Sequence, residues 1–207
     1  MRHLFIAMVA LLGPVAAPAG ASAQAADPAQ ATVKALDDGL IAIMKAGKAA
    51  GTKGRAATIG PVIDRAYDLP LMTRLSIGSV WTTIKPADQA ALTAAFRRMT
   101  IGQYATNFND FSGQSFTIDP KVEVRGGDRL VRTTLNDPKG EKVAISYRLR
   151  NSGGAWKIID VFYRNSISQL AIRRSDFAGV LQSGGAKALV AHLDALSSKS
   201  ESAKAGG

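Results

Sequence analysis

The chain has 207 residues, 46% hydrophobic and 20% charged, with 26 Lys and Arg against 16 Asp and Glu, a formal net charge of +10 and a mean hydropathy of +0.04. That length and balance fit one folded domain. With no cysteine it can use neither disulfides nor thiolate nucleophiles or metal ligands, and its two histidines, His3 and His192, all but exclude a histidine triad or multi-histidine metal site.

Residues 1–23 read as a cleaved secretory signal. Arg2 is the charged start, Leu4 to Leu12 an apolar run, and Ala21-Ser22-Ala23 a small-x-small cleavage pattern. The run is about nine residues, short of the roughly 20 a membrane helix needs, and Gly13-Pro14 breaks it, which argues against a retained anchor. Loss of Arg2 lowers the formal charge by one, from +10 to +9. The predicted address is the periplasm, with residues 24–196 as a single domain. A basic surplus suits nucleic acid, an anionic membrane surface or an acidic protein partner; export argues against the first. Scattered Lys and Arg that only keep the chain soluble remain the plain alternative.

Val33, Leu36, Leu40, Ile43 and Met44 recur at spacings of three and four, predicting a first helix from Asp27 to Met44. Gly47 to Gly54 reads as a loop, since it lacks the spacing of a phosphate loop. Further helices are predicted over 55–67 and 69–80. The longest amphipathic helix opens at Pro86 with Asp88 in its first turn, and carries Leu92, Phe96, Met99, Tyr104, Phe108 and Phe111.

After Gly113 the period becomes alternating. Phe116 to Val124, Leu130 to Leu135, Lys142 to Leu149 and Trp156 to Tyr163 are four strand candidates, joined by short turns into an antiparallel meander. A last helical stretch begins near Ser166, runs to Gly184-Gly185, and is followed by a shorter helix to Leu196. Residues 197–207 are small and polar, a tail expected to stay disordered. The predicted fold is α+β: a strongly curved four-stranded antiparallel sheet with helices on one side, curling around an apolar interior.

No catalytic motif, metal constellation or cofactor fingerprint is present. Asp160 is the one chemically conspicuous residue. Strict alternation along Trp156, Ile158, Asp160 and Phe162 would set a carboxylate on an apolar face. It is either a general base working with one of Tyr67, Tyr104, Tyr147 and Tyr163, as in a small exported isomerase or hydrolase, or a structural acid anchoring a neighbouring loop or helix start. His192 reads as structural.

Tyr67-Asp68-Leu69, Gly78-Ser79-Val80-Trp81, the Gln89 to Phe96 helix leading to Tyr104, Val143 to Tyr147, and Trp156 to Val161 follow one another after a signal peptide in an order that resembles the periplasmic lipid-binding proteins of the MlaC type. The segment Ile167 to Phe177 looks most like the hopanoid-associated HpnM branch. Lys85 departs from the usual Ser cap, and Asn165 stands where many relatives have Gly. The resemblance implies an NTF2-like or MlaC-like fold and a carrier rather than an enzyme. Such a carrier would hold the apolar part of a phospholipid or hopanoid and ferry it between an outer-membrane complex and an inner-membrane ABC-type transporter, with transient membrane contact and no cofactor or nucleic acid. On that reading Leu71, Leu75, Trp81, Phe96, Tyr104, Phe108, Ile145, Tyr147, Ile158 and Val161 are expected to line the cavity, and Arg173 and Arg174 to meet a lipid headgroup or a partner.

Overall fold

The computed structural model describes residues 27–202, with side chains described to residue 197; the predicted signal over 1–23 lies outside them. Helix α1 (Pro28–Ala46) is opened by a capping box. Asp27 accepts from the Ala29 N–H at 2.9 Å and Gln30 Oε1 accepts from the Asp27 N–H at 3.1 Å, with Pro28 pre-shaped for the first turn. Helix α2 (Gly51–Ala66) starts inside the stretch expected as a loop, after a 3₁₀ turn at Lys48–Ala50. The reason is Arg55. It is 2% exposed and donates to the Ala105 carbonyl at 2.7 Å and the Gly47 carbonyl at 2.6 Å, tying the ends of two other helices to the first turns of α2. Helix α3 (Leu69–Ile77) is capped by Asp68 and runs into a 3₁₀ segment, Gly78–Thr83; α4 (Pro86–Asn107) ends before Phe111.

The strands are β1 (Ser115–Ile118), β2 (Glu123–Arg125), β3 (Asp128–Asn136), β4 (Lys142–Ser152), β5 (Ala155–Tyr163) and β6 (Ile167–Ser168). Helix α5 (Gln169–Ser202) follows, broken by a kink at Gly185, whose combination of φ 66° and ψ −164° only glycine adopts cheaply. It reaches Ser202, within the segment expected as a tail.

The expected four-stranded sheet curling round its own interior is corrected. Six strands pair antiparallel in the order β1-β3-β4-β5-β6, with β2 also on β3, and the outermost strands do not meet, so the sheet stays open. Two local causes raise the strand count. Pro120 can donate no ladder bond and, with the Asp119 carboxylate accepting from the Lys121 N–H, splits the first predicted strand into β1 and β2. The turn after Tyr163 folds Ile167 and Ser168 back onto β5 as a sixth strand where a helix start was expected.

Helix α1 lies against β1, β3 and β5; α2 and α3 meet β5, and α4 packs along α5. The inner sheet face contributes Val131, Tyr147, Leu149 and Ile158, all essentially fully buried with helix residues such as Leu36, Leu40, Ile63 and Met72. The other face is polar at β3 and β4, where Asp128 is clamped by Arg148 Nε at 2.6 Å and Arg150 Nε at 2.7 Å. These bonds, Arg150's foremost, hold the Asp128 carboxyl below the usual carboxylate range.

Candidate functional site

Helices and sheet do not close completely on each other. Between them lies a cavity of about 680 Å³, within the size range of small-molecule sites. Its apolar wall is Met44 from α1, Met72 from α3, Tyr104 and Phe108 at the end of α4, Leu135 from β3, Val143, Ile145 and Tyr147 from β4, and Val161 from β5. Alternation does this on the sheet: Ile145, Tyr147 and Leu149 share one face, and their partners Thr133 and Val131 on β3 and Val161 on β5 share it too. Leu149 is buried in the core beyond the cavity.

The polar groups are few. Tyr67 and Tyr104 are joined hydroxyl to hydroxyl, and the Tyr104 ring stacks on Phe108 at 5.7 Å. Burial pushes the hydroxyls of Tyr67, Tyr104 and Tyr147 up, so all three stay neutral. Arg173, from the second turn of α5, donates to Gln103 Oε1 at 3.1 Å and lies 4.9 Å over the Phe96 ring. Burial pulls its pKa down, but a guanidinium stays protonated. Among the described residues it makes no direct ion pair. The cavity border also carries Asp110, Asp137 and Glu141.

Of the ten residues expected to line a cavity, Tyr104, Phe108, Ile145, Tyr147 and Val161 border this one. Phe96 is fully buried edge-on against Phe177, and Ile158 fully buried opposite Leu149, both in the closed core. Leu75 and Trp81 border a separate hollow with Arg74 and Arg174, and Leu71 borders neither. Arg173 and Arg174 therefore part company, as successive helical residues about 100° apart must. Met44, Met72, Leu135 and Val143 escaped sequence reasoning, although each sits in an apolar stripe or alternation that could have placed it.

Strict alternation fails at Asp160. Leu149 pairs with Ile158 but Arg148 pairs with Asp160, so Ile159 is an extra residue, a β-bulge. The bulge moves Asp160 to the face opposite Ile158, away from the cavity. There it accepts from the Val161 N–H at 2.8 Å, Ser168 Oγ at 2.7 Å and the Leu170 N–H at 3.1 Å. Asp160 anchors the start of α5, and the enzyme alternative loses its base.

A family profile described as MlaC protein matches residues 34–195, most of the chain. The chain belongs to the MlaC family. Among seven solved chains that match, one is the phospholipid-binding protein from Ralstonia solanacearum, in complex with a phospholipid. It is 28% identical to this MlaC-family chain with a TM-score of 0.69, covering 83% of this chain and 98% of the Ralstonia protein. The comparison with curated protein sequences gives no match.

Proposed function

We propose that this MlaC-family protein is a periplasmic lipid carrier, holding the acyl part of a phospholipid between its helices and sheet. The observation that carries the reading is the cavity: about 680 Å³, walled mainly by apolar side chains, in a fold shared with a protein crystallised around a phospholipid. Burial of acyl carbon at about 25 cal/mol per Å² would drive binding, with little polar discrimination. Tyr104, Phe108, Ile145, Tyr147 and Val161 contact the chains, joined by Met44 and Met72, whose thioethers adapt to variable hydrocarbon.

Arg173 is the headgroup contact in this reading. A desolvated guanidinium whose hydrogen-bond partner is a neutral amide, with Asp160 acting on it only through space, gains from a phosphate, which it can grip with two parallel bonds. Arg174, outside the cavity, is left for a partner surface. The resemblance of Ile167 to Phe177 to the HpnM branch supports a hopanoid as the alternative cargo in the same slot. Delivery to and from an inner-membrane ABC-type transporter and an outer-membrane complex, after signal cleavage near Ala23, completes the proposal. Among the described residues no helix is long and apolar enough to cross a membrane, in keeping with a protein that must leave the bilayer to carry lipid.

The test is mass spectrometry of organic extracts from purified protein, with uptake from labelled liposomes. Wild type is expected to bring down about one lipid per chain, and Val161→Trp, which fills the slot, about tenfold less with its fold intact. No stoichiometric lipid and no uptake would sink the carrier reading.

A further inference from the structure

Among the described residues only five large hydrophobic side chains are strongly exposed, and three of them, Tyr163, Ile167 and Ile172, fall within ten residues of one another, at the end of β5, on β6 and on the first turn of α5. Tyr163 and Ile167 are cross-strand partners, so their side chains share a face. Tyr163 also borders the cavity, as do Gln169 and Arg173. Tyr163 is therefore part of the cavity's rim, with its cross-strand partner Ile167 beside it.

The same stretch is basic. From Tyr163 to Ser175 the sequence holds Arg164, Arg173 and Arg174 and no acid. Arg164 lies 5.5 Å over the Tyr163 ring, which puts a cation and an aromatic on one projecting tip. The acids of the cavity border, Asp110, Asp137 and Glu141, come from the segment after α4, the end of β3 and the β3–β4 turn. The cationic and apolar group of the rim thus comes from β5, β6 and α5, while the β3–β4 turn carries mixed charge, Asp137 and Glu141 beside Lys139 and Lys142.

The tip is also held at a cost. In the turn Tyr163–Ser166, closed by the Ser166 N–H on the Tyr163 carbonyl at 3.3 Å, both central residues have positive φ: Arg164 at 51° and Asn165 at 59°. Asn tolerates this, and its Oδ1 is braced by Ser146 Oγ at 2.7 Å. Arg does not favour it, and Gly would be the relaxed choice. A cationic side chain kept where the backbone disfavours it suggests a use for the charge.

We propose that the β5–β6 turn and the first turn of α5, Tyr163 to Ile172, dock the protein on an anionic bilayer with the cavity mouth toward the lipid. The proposal rests on the carrier reading and adds the face by which cargo enters. Tyr163, Ile167 and Ile172 sit at headgroup depth, where amphipathic and apolar side chains are favoured, while Arg164 meets lipid phosphate.

Flotation of the signal-cleaved full chain with phosphatidylcholine vesicles, with and without phosphatidylglycerol, tests this. Wild type is expected to bind the anionic vesicles several-fold better than the neutral ones, and to lose that preference in 1 M salt, where the screening length falls to about 3 Å. Arg164→Gln should weaken partitioning about fivefold, the value of one basic residue near such a surface, while Arg164→Lys retains it. Arg164→Gly separates docking from folding: it should raise the melting temperature by relieving the turn, yet bind vesicles as poorly as Arg164→Gln. Val124→Asn, a change at a still more exposed apolar residue that does not border the cavity, should leave binding unchanged.

Equal partitioning by wild type, Arg164→Gln and Arg164→Gly overturns the proposal, as does indifference to vesicle charge. Turn-dependent capture of an acidic protein without vesicle binding also overturns it. Lipid content measured on the same preparations reads the carrier function separately. Poor docking with lipid retained upholds the surface, whereas vesicle docking by a chain with no extractable lipid fails the carrier reading alone.

Discussion

Two aspartates are buried in opposite ways. Asp160, on the strand after the bulge, is 5% exposed and accepts from one side-chain hydroxyl and two backbone N–H groups. Asp37, in the middle of α1, is 3% exposed and neither carboxylate oxygen has a partner. Burial, reinforced by Asp38 and only partly offset by Lys34, pushes Asp37 up to about 8. Depth inside the protein is the same for both; donors make the difference. With them an acid becomes a brace, and without them it keeps its proton and strains the fold whenever pH takes that proton away.

The sharpest break of this contrast is Asp160→Ala. It strands Ser168 Oγ and the Leu170 N–H at the start of α5 and is expected to cost about 3 kcal/mol in urea unfolding. A change under about 0.5 kcal/mol would mean that Asp160 braces nothing. Asp37 should behave in the reverse sense. Its folded pKa lies above its unfolded value near 3.8, so the folded state binds the extra proton between the two. Its contribution is fully present below about pH 4 and is lost as pH rises toward 8, at up to about 1.4 kcal/mol per pH unit. Asp37→Asn should flatten that slope. Asp37→Leu, which also removes the unpaired polar atoms, should stabilise the protein by about 2 kcal/mol at pH 7.5. Wild-type and Asp37→Asn stabilities that run parallel from pH 5 to 8 would contradict the assignment.

The sequence carries one of these acids openly and hides the other. Asp160 interrupts an apolar alternation, so pattern alone singles it out. Its face was misread because a bulge at Ile159 has no compositional mark: the surrounding residues Ile158 and Val161 are as β-prone as any. Asp37 sits four residues after Val33 and three before Leu40, inside the buried stripe, but beside Asp38 it reads as part of a solvated pair. The helices were legible through spacing, apart from the start of α2 inside the glycine-marked stretch 47–54, most turns through Gly, Pro and Asn, and four of the sheet's strands through alternation. The two short strands, β2 and β6, each set by a single turn, were not. The cavity was half legible. Periodicity shows which side of an element is buried, as for Phe96 and Ile158, but not whether another side chain or empty space lies opposite.

The smallest expected effect tests how the brace is built. Ser168 Oγ donates to Asp160 Oδ2 at 2.7 Å and accepts from the Ala171 N–H at 3.0 Å, so one hydroxyl both caps α5 and holds Asp160. Ser168→Ala removes both bonds but leaves Asp160 with the Val161 and Leu170 N–H groups, and should cost about 1 kcal/mol. If Asp160 acts mainly through Ser168, the double variant Ser168→Ala/Asp160→Ala will be no less stable than Asp160→Ala alone. If the Leu170 N–H carries most of the anchoring, Ser168 supplies an independent cap and the two losses will add. Additivity would place the anchor on the backbone of α5 rather than on the side chain before it, and so tell which atom a substitution must spare to keep the helix that carries Arg173 in register with the cavity.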